Sequence, residues 1–289
     1  MRYRYYFCDK CESELVDFLN KNNISYKVSG EDSFLPLVIF NLWSTTENLN
    51  YYFEELQKMN VNSPIMIAEF SASELSNAKL LVMTPKKQCI DILNDDAYEY
   101  TCKWTNSSGE IISKHEEQKE LFVIKKEPSS NSQTAFWAES TGFSEIFTDY
   151  RVYELANSNS LTGIDFKNVI LKNRDFSKHI YQMSSKNKLN NQCIVFGYGE
   201  KRQVCEICGK EQYFIDNAYQ LHLDFDKIQT HSDLYVTERI FGEGIAYPLY
   251  IISQRFYQLL KKHKLVGGVT FSPIAEANNP TETNQRTAL

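Results

Sequence analysis

Over the first seventy residues the apolar positions switch repeatedly between two periods. Arg2–Phe7 alternates as a strand does, and Glu12–Asn22 puts Leu15, Phe18 and Leu19 on one helical face. Ile24–Ser29 and Leu35–Leu42 return to strand patterning, the second too apolar for an exposed edge. Leu49, Tyr52, Phe53, Leu56 and Met59 then fall on the stripe of a second helix, with Ser44 and Glu47 before it at capping-box spacing. Ile65–Phe70 is a further strand. The order βαββαβ predicts a ferredoxin-like unit.

From Leu80 to Ile124 the chain is β-rich, with Leu81–Met83, Tyr98–Trp104 and Leu121–Ile124 as strands. Lys125–Gln133 loses all period and becomes charged, then Pro- and Ser-rich, as linkers are. The prediction is therefore an α+β chain. An N-terminal domain covers 1–124, a linker 125–135, and a C-terminal α+β domain 136–275, with a disordered polar tail over 276–289.

The C-terminal part contains a duplicated strand–helix–strand module, at 146–171 and 250–274. Asp149-Tyr-Arg151-Val-Tyr153-Glu-Leu155, Leu161-Thr-Gly163 and Phe166 return as Ser253-Gln-Arg255-Phe-Tyr257-Gln-Leu259, Leu265-Val-Gly267 and Phe271. The spacing is constant from Asp149/Ser253 to Gly163/Gly267 and slips by one at the final Phe. Asp149 and Ser253 are placed to cap the helices, and each Gly to end them in the left-handed conformation.

Composition narrows the functional classes. Hydrophobic residues at 42% and charged residues at 24% suit a folded protein, and a formal charge of −6 disfavours a nucleic-acid partner. The start, MRYRYYFCDKC, lacks the apolar core of a signal peptide, and no stretch approaches the ~18 apolar residues of a membrane span. Seven cysteines without an export signal suit a reducing compartment, so the expected location is cytoplasmic.

The sharpest chemical motif is Cys205-Glu-Ile-Cys208-Gly209, a tight turn that offers two thiolates to a metal. Cys8-Asp-Lys-Cys11 is the candidate second pair, and Cys8, Cys11, Cys205 and Cys208 together would hold one structural zinc; His222 or His231 could replace a thiolate. A rival reading makes Cys8 and Cys11 a thiol-redox pair, because FCDKCESELVDFLNKNNISYKV resembles the opening of a glutaredoxin-type fold. A zinc-ribbon nucleic-acid binder is the third reading. His222-x-Asp224-x-Asp226 reads as the solvated side of a strand, and Tyr51-Tyr52-Phe53 as core. His115-Glu116-Glu117 lacks a metalloprotease's second histidine, while Gly197-Tyr-Gly199 and Gly242-Glu-Gly244 lack a dinucleotide loop's third glycine. Neither a Gly-x-Ser-x-Gly elbow nor a P-loop occurs, so no catalytic residue is assigned.

Beyond these motifs, the second half resembles the bacterial double-CXXCG motif family and its relatives, many tied to polymorphic-toxin immunity. Cys205-x-x-Cys208-Gly209, Asp233-Leu234-Tyr235, the run from Leu249 to Phe256, Leu265-Val-Gly267 and Phe271-x-Pro273-Ile274 carry the resemblance. The departure is the remote pair Cys8/Cys11, which lacks the Gly. The resemblance implies a cytoplasmic immunity-type protein that binds a cognate toxin, expected to be a basic effector domain, and performs no chemistry of its own.

Overall fold

The computed structural model describes residues 1–30, 36–86, 89–94, 97–105, 111–129, 133–140, 145–195, 201–204, 209, 211–214, 221–228, 230–241 and 247–277. At 100–105, 111–117, 201–203, 211–212, 214 and 239–240 only the backbone is described. One compact unit is built on Met1–Ala72 and another on the chain from Ser73 onward.

The first unit runs β1 (Arg2–Lys10), α1 (Ser13–Lys21), β2 (Tyr26–Ser29), β3 (Leu37–Trp43), α2 (Leu49–Lys58) and β4 (Ile65–Glu69). Its sheet has the order β2-β3-β1-β4 with every neighbouring pair antiparallel, which is the expected ferredoxin-like arrangement. Leu15 and Leu19 of α1 and Leu56 of α2 close over Phe7, Val38, Phe40 and Leu42 on one face. Within that core Phe7 and Phe40 stack at 4.6 Å. The capping box does not form. The Ser44 hydroxyl instead accepts from the Tyr3 N–H at 2.9 Å, which ties the turn to the sheet edge, and α2 begins after Asn48 at φ 59 with no side-chain cap.

The second unit contains α3 from its second residue (Ala72–Asn77), then β5 (Leu80–Pro85), β6 (Cys89–Ile90), β7 (Tyr98–Thr105), β8 (Ile111–Gln118) and β9 (Val123–Ile124). It continues with β10 (Phe136–Glu139), β11 (Ile146–Asp149), α4 (Tyr150–Ser158), β12 (Asp165–Leu171), β13 (Phe176–Ser184), β14 (Lys188–Leu189) and β15 (Ile194–Val195). Last come β16 (Lys201–Val204), β17 (Glu211–Phe214), β18 (His222–Leu223), β19 (Leu234–Phe241), β20 (Tyr247–Ser253), α5 (Gln254–Lys262), β21 (Val269–Pro273) and β22 (Ala275–Glu276). Two large sheets result, β6-β10-β11-β13-β12-β9 and β16-β17-β19-β20-β5-β21, the latter with β14 beside β19.

This weave corrects the expected division at 124. β5 lies between β20 and β21, β6 pairs with β10 and β9 with β12, so these strands of 80–124 belong to the same sheets as strands after 136. The apolar run Leu80–Met83 is buried along its whole length, as a central strand must be. The expected linker leads from β9 into β10 within one unit, and Glu276 of the expected tail lies in β22.

The repeat is larger than its sequence signature. In both copies the two strands that flank the helix run parallel with a third strand inserted antiparallel between them: β13 in one, β5 in the other. The registers correspond residue for residue, so Met183 opposite Ile146 matches Met83 opposite Tyr250, and Tyr181 matches Leu81. β10 and β19 add matching outer strands, with Trp137 opposite Phe147 and Tyr235 opposite Ile251. Asp149 and Ser253 cap as expected, accepting from the N–H of Arg151 and Phe256, each at 3.0 Å. Both helices bury their inner faces in one shared core that includes Phe136, Ile146, Leu155, Leu234, Ile252 and Phe256.

The glycines do not end the helices. Ser160 (φ 50) and Lys264 (φ 58) take the left-handed position, and the next N–H bonds to the carbonyl five residues back, Leu161 to Ala156 and Leu265 to Leu260. Asn23 and Asn60 end α1 and α2 in the same way. The glycines serve the crossing of the two copies. Thr162 O, after α4, accepts from Asp233 and Leu234 N–H at the start of β19, and Gly267 O, after α5, accepts from Ala135 and Phe136 N–H at the start of β10. Gly163 (φ 75) therefore matches Gly268 (φ 92) rather than Gly267, which places the one-residue slip before the glycine. A Cβ on Gly163 would lie 2.5 Å from Leu234 O, and one on Gly268 would lie 2.0 Å from Phe136 O.

Candidate functional site

Two of the four expected zinc ligands, Cys8 and Cys11, lie among the described residues. Cys8 follows the buried Phe7 in β1 and faces the opposite, exposed side of the sheet, opposite Ile39. Cys11, at the head of α1, is half-buried and packs against the core under the helices. Cys8 thus lies on the face away from Phe7, while Cys11 packs on the Phe7 side. Cys205 and Cys208 lie outside the described residues. Gly209, which is described, has φ 70 in open space, the left-handed backbone that a Cys-x-x-Cys-Gly turn demands of its glycine. Among the described residues no three His, Cys, Asp or Glu side chains gather to hold a metal.

Other singled-out residues have structural employment. His222 opens the two-residue strand β18, after which the chain turns into a 3-10 helix over Phe225–Lys227, so the expected three-residue alternation is broken. A hydrogen bond from Lys227, 2.8 Å away, holds the half-buried Asp224 carboxyl below its ordinary value. His231 is exposed, as is Tyr51, while Tyr52 and Phe53 pack in the first core as expected. Gly197, Gly199, Gly242 and Gly244 lie outside the described residues, and His115 is described by its backbone in β8 alone. A cavity of about 190 Å³ beside Lys188, Lys227 and Tyr235 contains the buried Cys193. Burial pushes that thiol above its usual range, and Sγ lies 3.2 Å from Lys227 O, which does not suit a nucleophile.

The residues that carry the family resemblance build the scaffold. Asp233 is buried and accepts from the Ser253 hydroxyl at 2.6 Å, the Thr162 N–H at 2.9 Å and Arg255 Nη1 at 3.2 Å. In the other copy the matching arginine, Arg151, pairs with Asp149 of its own helix cap and donates to Thr134 O. Each copy thus holds its arginine with one buried carboxylate, drawn from a different strand.

What distinguishes the copies is their outer aromatic face. Tyr153 stacks on Tyr181 at 4.7 Å and meets Phe166 edge-on at 5.2 Å, while Tyr150 lies 6.0 Å from His179. The second copy repeats the edge-on pair as Tyr257 and Phe271 at 5.0 Å. Tyr257 is 5% exposed and Leu81, the counterpart of Tyr181, is fully buried, but Tyr153 is 36% and Tyr150 42% exposed. Sequence reading caught Tyr153 and Tyr257 only as helix positions of the repeat; exposure depends on what covers each copy, which no local pattern states.

No protein-family model matches the chain, and no curated protein matches it at a significant level. Among the described residues no helix is long and apolar enough to cross a membrane.

Proposed function

We propose that this chain is a cytoplasmic binding protein of the immunity type, which neutralises a cognate toxin by direct contact and performs no chemistry of its own. The observation that carries the reading is the outer face of the first copy: three tyrosines, Tyr150, Tyr153 and Tyr181, stand where the sister copy has a buried surface. Tyrosine offers a large, stiff contact area with a polar tip, the chemistry of interface anchors. The resemblance of the second half to double-CXXCG proteins adds the toxin as partner, and the charge of −6 favours a basic one. A structural zinc remains part of the proposal, held through Cys205 and Cys208 and without Cys8 and Cys11. The test is native capture of the tagged full chain from its source cells, with co-eluting proteins identified by mass spectrometry. A single stoichiometric partner with a toxic domain is expected; bait alone would remove the reading.

A further inference from the structure

We propose that the Tyr150–Tyr153–Tyr181 face receives the C-terminal turn of a short helix of the partner, as its counterpart in the second copy receives the last turn of α3. The proposal rests on the reading of the chain as a binding protein and specifies what that protein grips.

The chain supplies its own template. In the second copy Leu75 and Ala78, at the end of α3, pack against the core that contains Tyr257 and Leu81. Gln254 Nε2 donates to the carbonyls of Leu75 and Ser76, two of the last-turn oxygens that a helix leaves without internal partners. In the first copy Tyr150 occupies the place of Gln254, Tyr153 that of Tyr257, Tyr181 that of Leu81 and His179 that of Lys79. The segment that would correspond to α3 is different: β13 is preceded by a tight turn in which Arg174 N–H bonds to Leu171 O and Leu171 N–H to Asp175 O. Among the described residues no helix leads into β13, and Tyr150 and Tyr153 are exposed.

The chemistry of this face matches the same kind of occupant. Tyr153 and Tyr181 are stacked ring on ring, 10° apart, and the outer edge of this pair offers an apolar contact for one aliphatic side chain in the role of Leu75. The Tyr150 hydroxyl and the exposed His179 ring provide donors for free carbonyls at the electronegative end of a helix. Glu154, exposed one turn beyond Tyr150, favours a basic residue at that end, where Lys and Arg are stabilising in any helix. In the template that residue is Lys79, directly after Ala78.

The probe is a hydrocarbon-stapled peptide of residues 70–79 (FSASELSNAK), titrated into the ¹⁵N-labelled full chain and followed by amide shifts. The staple supplies the helicity that ten residues lack in water. Saturable shifts confined to 150–158 and 179–183 are expected, about tenfold weaker with Leu75→Ala in the peptide or Tyr150→Ala in the protein. Absence of saturation, equal binding of the Leu75→Ala peptide, or shifts centred on Tyr257 would overturn the proposal. Tyr150 is exposed, so its variant keeps the fold, which a circular-dichroism spectrum verifies. A failed titration beside a captured toxin overturns the helix occupant alone. A successful titration with no captured partner supports the occupant and overturns the toxin reading alone.

Discussion

Replacing Gly163 by Ala tests the crossing of the two copies. At φ 75 an L-residue costs about 1–2 kcal/mol in backbone strain. The new Cβ would lie 1.9 Å from Ser232 Oγ, 2.8 Å from Asn187 Nδ2 and 2.5 Å from Leu234 O. The two side chains can retreat, but only by loosening the bonds from Ser232 Oγ to Thr162 O (3.1 Å) and from Asn187 to Ser232 (2.9 Å). Leu234 O is backbone at the start of β19, so the strand itself must shift, an overpacking cost of about 1–3 kcal/mol. The total is about 2–5 kcal/mol, a large share of a domain's stability. Gly209→Ala is the control: its φ is 70 but nothing lies within 4 Å, so it should lose about 1–2 kcal/mol at most. In a Trp43→Phe background the fluorescence reports the second unit, where Trp137 is buried. Urea unfolding should then show the Gly163→Ala midpoint lower by about 1–2 M and that of Gly209→Ala by well under 1 M. Equal midpoints for the two variants would refute the argument from close approach.

Four further outcomes are expected. Ser253→Ala removes both the α5 cap and a hydrogen bond to buried Asp233, and should lower stability by about 1–2 kcal/mol in the same assay. Tyr250 is buried, and desolvation raises its hydroxyl pKa well above the ordinary 10.0. Above pH 10 the unfolded chain gives up this proton and the folded chain keeps it, so stability should fall as pH rises there, and less steeply in Tyr250→Phe. In the native protein iodoacetamide should modify exposed Cys8 readily and buried Cys193 slowly, as peptide mass spectrometry would report. Zinc content by metal analysis should survive Cys8→Ser and be lost in Cys205→Ser.

The first unit was legible because its information is local. Alternation in β1 and β3 and the stripe of α2 each dictate which face is buried, and the βαββαβ order leaves few ways to pair the strands. The capping box failed because Ser44 was read against its own helix, whereas Tyr3, forty-one residues earlier, offered the backbone partner. The boundary at 124 failed for a similar reason. The run Leu80–Met83 announces a fully buried strand but not its neighbours, and those neighbours, β20 and β21, lie some 165–190 residues downstream. The repeat was visible where helix caps impose residue types. Its inserted strands escaped notice because one follows its module and the other precedes both. Gly163 and Gly267 were recognised as special, but the cause is a neighbouring strand rather than a helix end, and the residue that matches Gly163 is Gly268.

The central claim is that this chain silences a toxin by binding it. The most direct test expresses the captured partner's toxic domain in a sensitive host, alone and together with this chain. Co-expression should restore growth with the wild type and restore it less with Tyr150→Ala. Growth arrest that persists beside a soluble, folded wild-type chain would contradict the account.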